Sequence, residues 1–279
     1  MNWALRDVQT RCPRSALERG SRSWLVASFI ILFSVMGGVG LQAAEARIAV
    51  AANFRDTALA IAQQLEATSV HRYEIISGST GKLAAQIING APFDVLMAAD
   101  IQRPRELKRR GLIVAESLQV YAIGELGLWW PRASGVVTAN NLIHLEPGEV
   151  GIANPAFAPY GAAAWRVMED AQMPTEWLSR VIRVDNVNLV TGLLVTGQVK
   201  AGFVARSSIT AGMRTGSLKV EPEDILWFSD RASVEQALVI ISRARDNEAA
   251  QFWVSQMQAP VIREVIRADG YRLPDRVQD

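Results

Sequence analysis

The chain has 279 residues, of which 49% are hydrophobic and 20% are charged, and its formal net charge is +1. This length is sufficient for two domains or lobes, and the composition is that of a globular protein. A net charge near zero gives no electrostatic reason to bind nucleic acid or an anionic membrane surface, so neither is predicted as a partner.

The first 46 residues have the layout of a secretory signal. Arginines precede an uncharged apolar stretch over residues 24–41, and Ala44-Glu45-Ala46 forms a small-x-small cleavage pattern. Residues 1–46 are therefore predicted to be a signal peptide that directs the remaining chain to the periplasm. A retained N-terminal anchor is the alternative, because about 18 apolar residues just span a bilayer. The single cysteine, Cys12, precedes the apolar stretch, so the predicted mature chain has no thiol for disulfides, catalysis or metal binding.

After the leader, short β-type runs alternate with helical segments. Strands are predicted over residues 47–51, 73–76, 94–97, 150–153, 181–184, 201–205, 225–228 and 237–242. Helices are predicted over residues 54–67, 82–89, 104–110, 161–171, 188–198, 248–257 and 260–268. This alternation indicates an α/β fold with mixed, mainly parallel sheets.

The chain contains no flexible Gly/Ser linker between these elements. The long apolar stretch over residues 118–131 is instead suited to cross between two lobes as a strand. We therefore predict that residues 47–125 and 230–279 form lobe 1 and residues 126–229 form lobe 2. The predicted hinge lies near residues 121–127 and 228–236.

Polar residues concentrate at four predicted strand-to-helix junctions, at residues 51–54, 77–83, 154–161 and 185–188. In open α/β sheets, ligands bind beyond the carboxyl ends of strands, where helix N-termini point. A helix N-terminus carries unpaired N–H groups and partial positive charge, which together favour anions. These junctions predict a dianion site built from amide, hydroxyl, phenol and backbone donors, without a contacting Arg or Lys.

Each of these residues also has an ordinary structural interpretation. Tyr160 fits a packing residue, and Lys82 fits a solvated helix residue. Four others fit helix caps or turn residues: Asn53, Ser79, Thr80 and Asn186. No single motif distinguishes the two interpretations, so the case for a site depends on the joint order of the junctions along the chain.

That joint order resembles the periplasmic molybdate-binding proteins of ABC importers over residues 47 to about 275. The matching stretches are residues 49–54, 78–87, 90–100 and 184–187. The most specific is the gap-free run over residues 86–100, which contains Gln-Ile, then Gly-Ala-Pro-x-Asp-Val, then Ala-Asp. The resemblance implies a two-lobed type II solute-binding fold with a strand hinge that closes over molybdate or tungstate. It further implies delivery of the ion to an ABC transporter permease, a monomeric state, no cofactor and no enzymatic activity.

The resemblance also assigns site residues by position. They are contacts to the oxyanion rather than direct metal ligands. Asn53 is the donor on the first loop, and Thr80 is the hydroxyl on the second loop, with Ser79 beside it. Ala99 packs near the ion, Tyr160 contributes its phenol, and Val187 contributes its backbone N–H. Many family members have a tyrosine near position 205, where this chain has Ala205. The combination of Asn53 and Tyr160 resembles the branch that fills the site from the third junction instead.

Three other functions were weighed against this prediction. An enzyme is disfavoured because the two histidines, His71 and His144, lie in polar, loop-like settings and because the sequence has no nucleophile elbow or P-loop. The one enzyme class that stays open is a hydrolase that uses carboxylates alone, with Asp94 and Asp100 as the candidates. A binding protein for sulfate stays open, whereas phosphate calls for an acidic acceptor and organic acids for an arginine clamp. A transcription regulator would carry a helix-turn-helix segment where this chain has its export signal.

Overall fold

The computed structural model describes residues 43–131, 133, 135, 137–229 and 232–274. Its strands are β1 Glu45–Ala51, β2 Arg72–Gly78, β3 Val95–Ala98, β4 Gln119–Trp129, β5 Val150–Ala153, β6 Ile182–Val184, β7 Ala201–Ala205, β8 Ile225–Trp227 and β9 Ser233–Ile240. Its α-helices are α1 Arg55–Thr68, α2 Thr80–Ile88, α3 Gln102–Arg109, α4 Pro159–Asp170, α5 Thr175–Ser179, α6 Val187–Val195, α7 Arg206–Arg214, α8 Glu248–Gln256 and α9 Pro260–Ala268. Short 3-10 turns include Ala52–Phe54, which leads from β1 into α1.

Most predicted elements are present, and their ends shift by a few residues. Strand β9 begins at Ser233 rather than at residue 237, because its first residues alternate between exposed and buried positions instead of forming a continuous apolar run. Helices α5 and α7 were not predicted. The first has only five residues, and the second opens with the polar sequence Arg206-Ser207-Ser208.

The strands form one mixed sheet in the order β2-β1-β3-β9-β4-β7-β5-β6, with β8 paired to β4. Pairing is parallel at both ends of this order and antiparallel in the middle. The first part of β4, Gln119 to Glu125, pairs with β9, and the second part, Leu126 to Trp129, pairs with β7. Strand β4 therefore continues from one half of the sheet into the other, as predicted for residues 118–131.

Separate hydrophobic clusters lie on either side of this change of partner. One includes Ile48, Phe54 and Trp253, and another includes Ile152 and Phe203. The change of partner falls between Glu125 and Leu126, but the predicted lobe boundaries themselves stay a prediction.

Strand β1 begins before the predicted end of the signal peptide. Glu45 and Ala46 pair with Arg72 and Tyr73 of β2, and Ala46 is fully buried. No helix in the described part of the chain is long and apolar enough to cross a membrane. The apolar stretch over residues 24–41, on which both the signal peptide and the alternative anchor depend, lies outside the described residues.

Candidate functional site

A small cavity lies where β1, β2 and β3 end and where α2, α4 and α6 begin. Its volume is about 10 Å³, which is about the volume that one buried water needs. All six predicted site residues line it: Asn53, Ser79, Thr80, Ala99, Tyr160 and Val187. The remaining lining residues are Ala51, Ala52, Gly78, Ala158, Pro159 and Asn186. No residue of this lining carries a formal charge.

Ser79 supplies a buried hydroxyl without a partner. It occupies the N-cap position of α2, but its side chain makes no capping hydrogen bond. The residue is 4% exposed, and its hydroxyl oxygen has no hydrogen-bond partner among the described residues. A buried hydroxyl without a hydrogen bond costs roughly 1–3 kcal/mol, so this group is free to hydrogen-bond a molecule or ion that enters the cavity.

Thr80 and Ala99 are connected across the cavity wall. The Ala99 backbone N–H donates to the Thr80 hydroxyl oxygen at 3.0 Å, and both residues are buried. Since that oxygen accepts from Ala99, the hydroxyl hydrogen remains available to a second acceptor. Ala99 thus contributes its methyl group and holds Thr80, and its own N–H is already used.

Val187 presents the first backbone N–H of α6. The preceding residue, Asn186, caps the helix, because its side-chain oxygen accepts from the N–H groups of Asn188 and Leu189. This confirms the interpretation of Asn186 as a cap. The cap serves the second and third N–H groups of the helix and leaves that of Val187 without a partner among the described residues.

The capping interpretation of Asn53 was wrong. Helix α1 has Phe54 at its N-cap position and no side-chain capping bond. The Asn53 amide instead points into the protein, where Nδ2 donates to Gln236 Oε1 at 2.9 Å and to the Tyr271 hydroxyl at 3.0 Å. Two inward acceptors draw the side chain away from the helix end. Both Nδ2 hydrogens are thereby used, so the Asn53 side chain has no further N–H to donate to a ligand.

Tyr160 is the second residue of α4 and is 2% exposed. Its hydroxyl oxygen accepts a hydrogen bond of 3.4 Å from Gln236 Nε2. Burial, reinforced by the nearby Tyr271 and Glu125, raises the pKa of Tyr160 well above its ordinary value of 10.0. The phenol is therefore neutral at physiological pH and keeps a hydrogen to donate.

Three supporting residues were missed by the sequence analysis. Gln236 is fully buried, and its Oε1 accepts from Asn53 and, at 3.1 Å, from the Tyr121 hydroxyl. Tyr271 donates from its hydroxyl to the Asn53 carbonyl at 2.8 Å. No local pattern marks these residues, because they come from β4, β9 and the segment after α9.

Several contacts join the segments around the cavity. The Gly81 N–H donates to the Phe157 carbonyl at 2.8 Å, and Lys82 forms an ion pair with Asp185 at 2.5 Å between Nζ and Oδ2. Lys82 is about half exposed, consistent with a solvated helix residue that also has a salt-bridge partner. These contacts hold α2 against the third and fourth junctions.

The residues of the alternative functions lie elsewhere. Asp94 accepts from the Arg47 N–H at 2.7 Å and pairs with Arg243, and Asp100 accepts from the Arg103 N–H at 2.8 Å. These carboxylates are engaged in structural contacts and do not line the cavity. Ala205 ends β7 opposite Leu126 and is also absent from the lining.

A larger, open cleft of about 810 Å³ includes Trp129, Lys200 and Lys219. It contains none of the predicted residues and does not enclose a small ion.

Comparisons with known proteins agree with this geometry. The sequence profile of a family described as bacterial extracellular solute-binding protein matches residues 46–272. The molybdate-binding protein ModA of Azotobacter vinelandii is 36% identical over 83% of this chain and 91% of its own length. The molybdate-binding protein ModA of Rhodobacter capsulatus is 30% identical over 84% of this chain and 91% of its own. This chain belongs to the molybdate-binding family of bacterial extracellular solute-binding proteins.

A solved structure of the Azotobacter vinelandii periplasmic molybdate-binding protein superposes with a TM-score of 0.74 at 28% identity, covering 82% of this chain and all of that one. The predicted fold class, the two-lobed solute-binding fold, is thereby confirmed. The prediction that the chain is a binding protein and not an enzyme is confirmed by the family. Which residues contact the ligand stays a prediction.

Proposed function

We propose that this protein captures molybdate or tungstate in the periplasm and delivers the ion to the permease of an ABC transporter. The unpartnered, buried hydroxyl of Ser79 at a small, uncharged cavity is the observation that carries the proposal. The two relatives of 36% and 30% identity, both named molybdate-binding proteins, support molybdate as the ligand. Tungstate has the same charge and tetrahedral shape. The ion is cargo, and no cofactor takes part.

The cavity offers neutral donors from both halves of the protein. Ser79, Thr80 and the turn at Asn53 face it from one half, and Tyr160 and Val187 face it from the other. A hydrogen bond to a charged group contributes roughly 1.5–3 kcal/mol net of the water hydrogen bond that it replaces, so several such donors together favour binding of a dianion. The partial positive charge at the N-termini of α2, α4 and α6 adds to this attraction.

The same donors explain which anions are disfavoured. A monoprotonated phosphate needs an acceptor for its hydrogen, and no carboxylate lines the cavity. An organic acid finds no arginine in this lining to bind its carboxylate. Sulfate shares the charge and shape of molybdate, so the molybdate-binding relatives, rather than the lining, favour molybdate over sulfate.

Closure of the two lobes is proposed to bury the ion. The lobes are residues 47–125 with 230–279, and residues 126–229, joined by β4 and by the segment that leads into β9. Because β4 changes partner between Glu125 and Leu126, a small rotation there moves one half of the site relative to the other. The Gly81–Phe157 hydrogen bond and the Lys82–Asp185 ion pair hold the closed arrangement.

Export by the N-terminal segment and a monomeric state complete the proposal. Since Glu45 and Ala46 belong to β1, cleavage on the N-terminal side of Glu45 preserves the whole strand.

Calorimetric titration of the exported protein, stripped of bound anions, tests the function. Molybdate, tungstate, sulfate and phosphate are titrated in turn. We expect submicromolar affinity for molybdate or tungstate and an affinity for sulfate lower by about a hundredfold, or about 2.7 kcal/mol. Tighter binding of sulfate or phosphate would replace the proposed ligand, and no heat with any of the four would refute an oxyanion function.

A further inference from the structure

Gln236 lies at the centre of a hydrogen-bond chain with one direction. It begins at a backbone carbonyl, which can only accept. The Tyr271 hydroxyl donates to the Asn53 carbonyl, so its oxygen accepts from Asn53 Nδ2. The second Nδ2 hydrogen goes to Gln236 Oε1. With its oxygen facing Asn53, Gln236 must turn its Nε2 hydrogens toward Tyr160, whose oxygen accepts one of them.

The Tyr121 hydroxyl is a further neighbour of the Gln236 amide and can donate its single hydrogen to either of two oxygens. It lies 3.1 Å from Gln236 Oε1 and 3.3 Å from the Ala98 carbonyl, and both of these oxygens are acceptors. A flipped Gln236 amide would place its NH₂ group against the Asn53 NH₂ group. The contact with Asn53 therefore sets the orientation of the Gln236 amide.

We propose that Gln236 is a positioning residue that forces the Tyr160 hydroxyl to donate its hydrogen to the bound oxyanion. Since the phenol oxygen accepts from Gln236, its hydrogen has to point elsewhere, and Tyr160 lines the cavity. Gln236 itself does not line the cavity, so it acts through Tyr160. This inference rests on the proposed function, because it needs an anion as the acceptor.

Gly124 of β4 supports the assignment by leaving room for this contact. A Cβ atom at Gly124 would lie 2.0 Å from the Tyr160 hydroxyl oxygen and 2.6 Å from Gln236 Nε2. The Gly124 backbone does not adopt a positive φ, so alanine is conformationally allowed there. Alanine at this position would separate Tyr160 from Gln236 and leave the strand itself intact.

The test combines Gln236→Met, Tyr160→Phe and the double variant in a calorimetric cycle with molybdate. If Gln236 acts through the phenol, each single change lowers affinity by about tenfold, and the double variant loses little more than the larger single loss. Independent contributions would instead multiply to about a hundredfold, and that result would overturn the inference.

Gly124→Ala provides a second variant that does not remove a buried polar group. We expect it to lower molybdate affinity by about tenfold and also to lower the melting temperature of the ligand-free protein, because the added methyl group overpacks two buried side chains. Gly148→Ala is the matched control, because a Cβ there meets nothing within 4 Å, and it should bind like wild type. If Gly124→Ala binds molybdate as tightly as the wild type does, the inference about Gln236 is overturned and the proposed function is not affected. Absence of oxyanion binding by the wild type would overturn the proposed function and this inference together.

Discussion

Ser79 and Thr80 are neighbours with different hydrogen-bonding states. Thr80 accepts from the Ala99 N–H, whereas the Ser79 hydroxyl has no partner among the described residues. The sequence placed both hydroxyls at one junction but did not separate their roles, because the separation depends on Ala99, which arrives from another strand. Ser79 is thus the residue whose side chain most clearly lacks a partner that a ligand would supply.

Ser79→Ala should therefore have opposite effects on stability and on binding. Removing an unpaired buried hydroxyl should leave the free energy of unfolding of the ligand-free protein unchanged or higher, by up to about 1 kcal/mol. The affinity for molybdate should fall by roughly 1.5–3 kcal/mol, because one anion oxygen loses its donor. Denaturant unfolding and calorimetry measure the two quantities. Ser255→Ala, at an exposed position of α8, is the control and should change neither.

Tyr160 determines the expected pH dependence. Burial raises its pKa well above 10.0, so the phenol stays protonated and keeps its hydrogen at neutral pH. The affinity for molybdate should then vary by less than about threefold between about pH 6 and 9. Stability should decline only above the ordinary pKa of 10.0, because the unfolded phenols ionise there while the folded ones resist. An affinity that titrates within that range would show that an ionisable group contacts the ion.

Some residues of the site could be predicted from the sequence and others could not. The six predicted residues all line one cavity. Local strand-end and helix-start signals marked the four junctions, whereas the family resemblance assigned the individual residues, and Ala99 was assigned by the resemblance alone. Gln236, Tyr121 and Tyr271 were missed, since Gln236 lies 183 and Tyr271 lies 218 residues from Asn53 in sequence. Contacts over such separations depend on the folded topology and leave no periodic pattern.

At the scale of elements, three helices direct their N-termini at one cavity. Helices α2, α4 and α6 begin there at Thr80, Pro159 and Val187, each after a residue with extended backbone. Predicted helix starts at residues 82, 161 and 188 fell one or two residues late. Helix α2 opens with the polar and small residues Thr80 and Gly81, and α4 opens with Pro159 and Tyr160, which the apolar period of the helix does not include.

Gly81 tests whether α2 must approach the third junction closely. Its N–H donates to the Phe157 carbonyl, and a Cβ atom would lie 3.0 Å from both the Phe157 Cα and its oxygen. Gly81→Ala should lower molybdate affinity by roughly 1–2 kcal/mol, because backbone atoms yield less readily than side-chain ends and the closed arrangement is strained. Equilibrium dialysis with radioactive molybdate measures the change.

Gly192→Ala in α6 is the matched control, since a Cβ there meets nothing within 4 Å. It should leave affinity unchanged and raise helix stability slightly, by about 0.5–1 kcal/mol. Equal affinities for Gly81→Ala and wild type would show that this contact does not contribute to the bound state.

At the scale of the whole molecule, β4 joins the two halves of a mixed sheet. Its apolar run over residues 118–131 predicted a crossing strand, and the structure shows β4 pairing with β9 in one half and with β7 and β8 in the other. The order of strands was not predictable from periodicity, because β9 is inserted between β3 and β4 from the far end of the chain. That insertion brings Gln236 between Asn53 and Tyr160.

The cavity between these halves is the central claim, and anomalous diffraction tests it directly. Crystals of the protein grown with tungstate would be measured at the tungsten absorption edge, which locates the metal without reference to the protein atoms. We expect one dominant peak within the cavity, with anion oxygens at hydrogen-bond distance, about 2.7–3.2 Å, from the Ser79 hydroxyl, the Tyr160 hydroxyl and the Val187 N–H. A dominant peak elsewhere, or an anion in this cavity that does not contact Ser79, would contradict it.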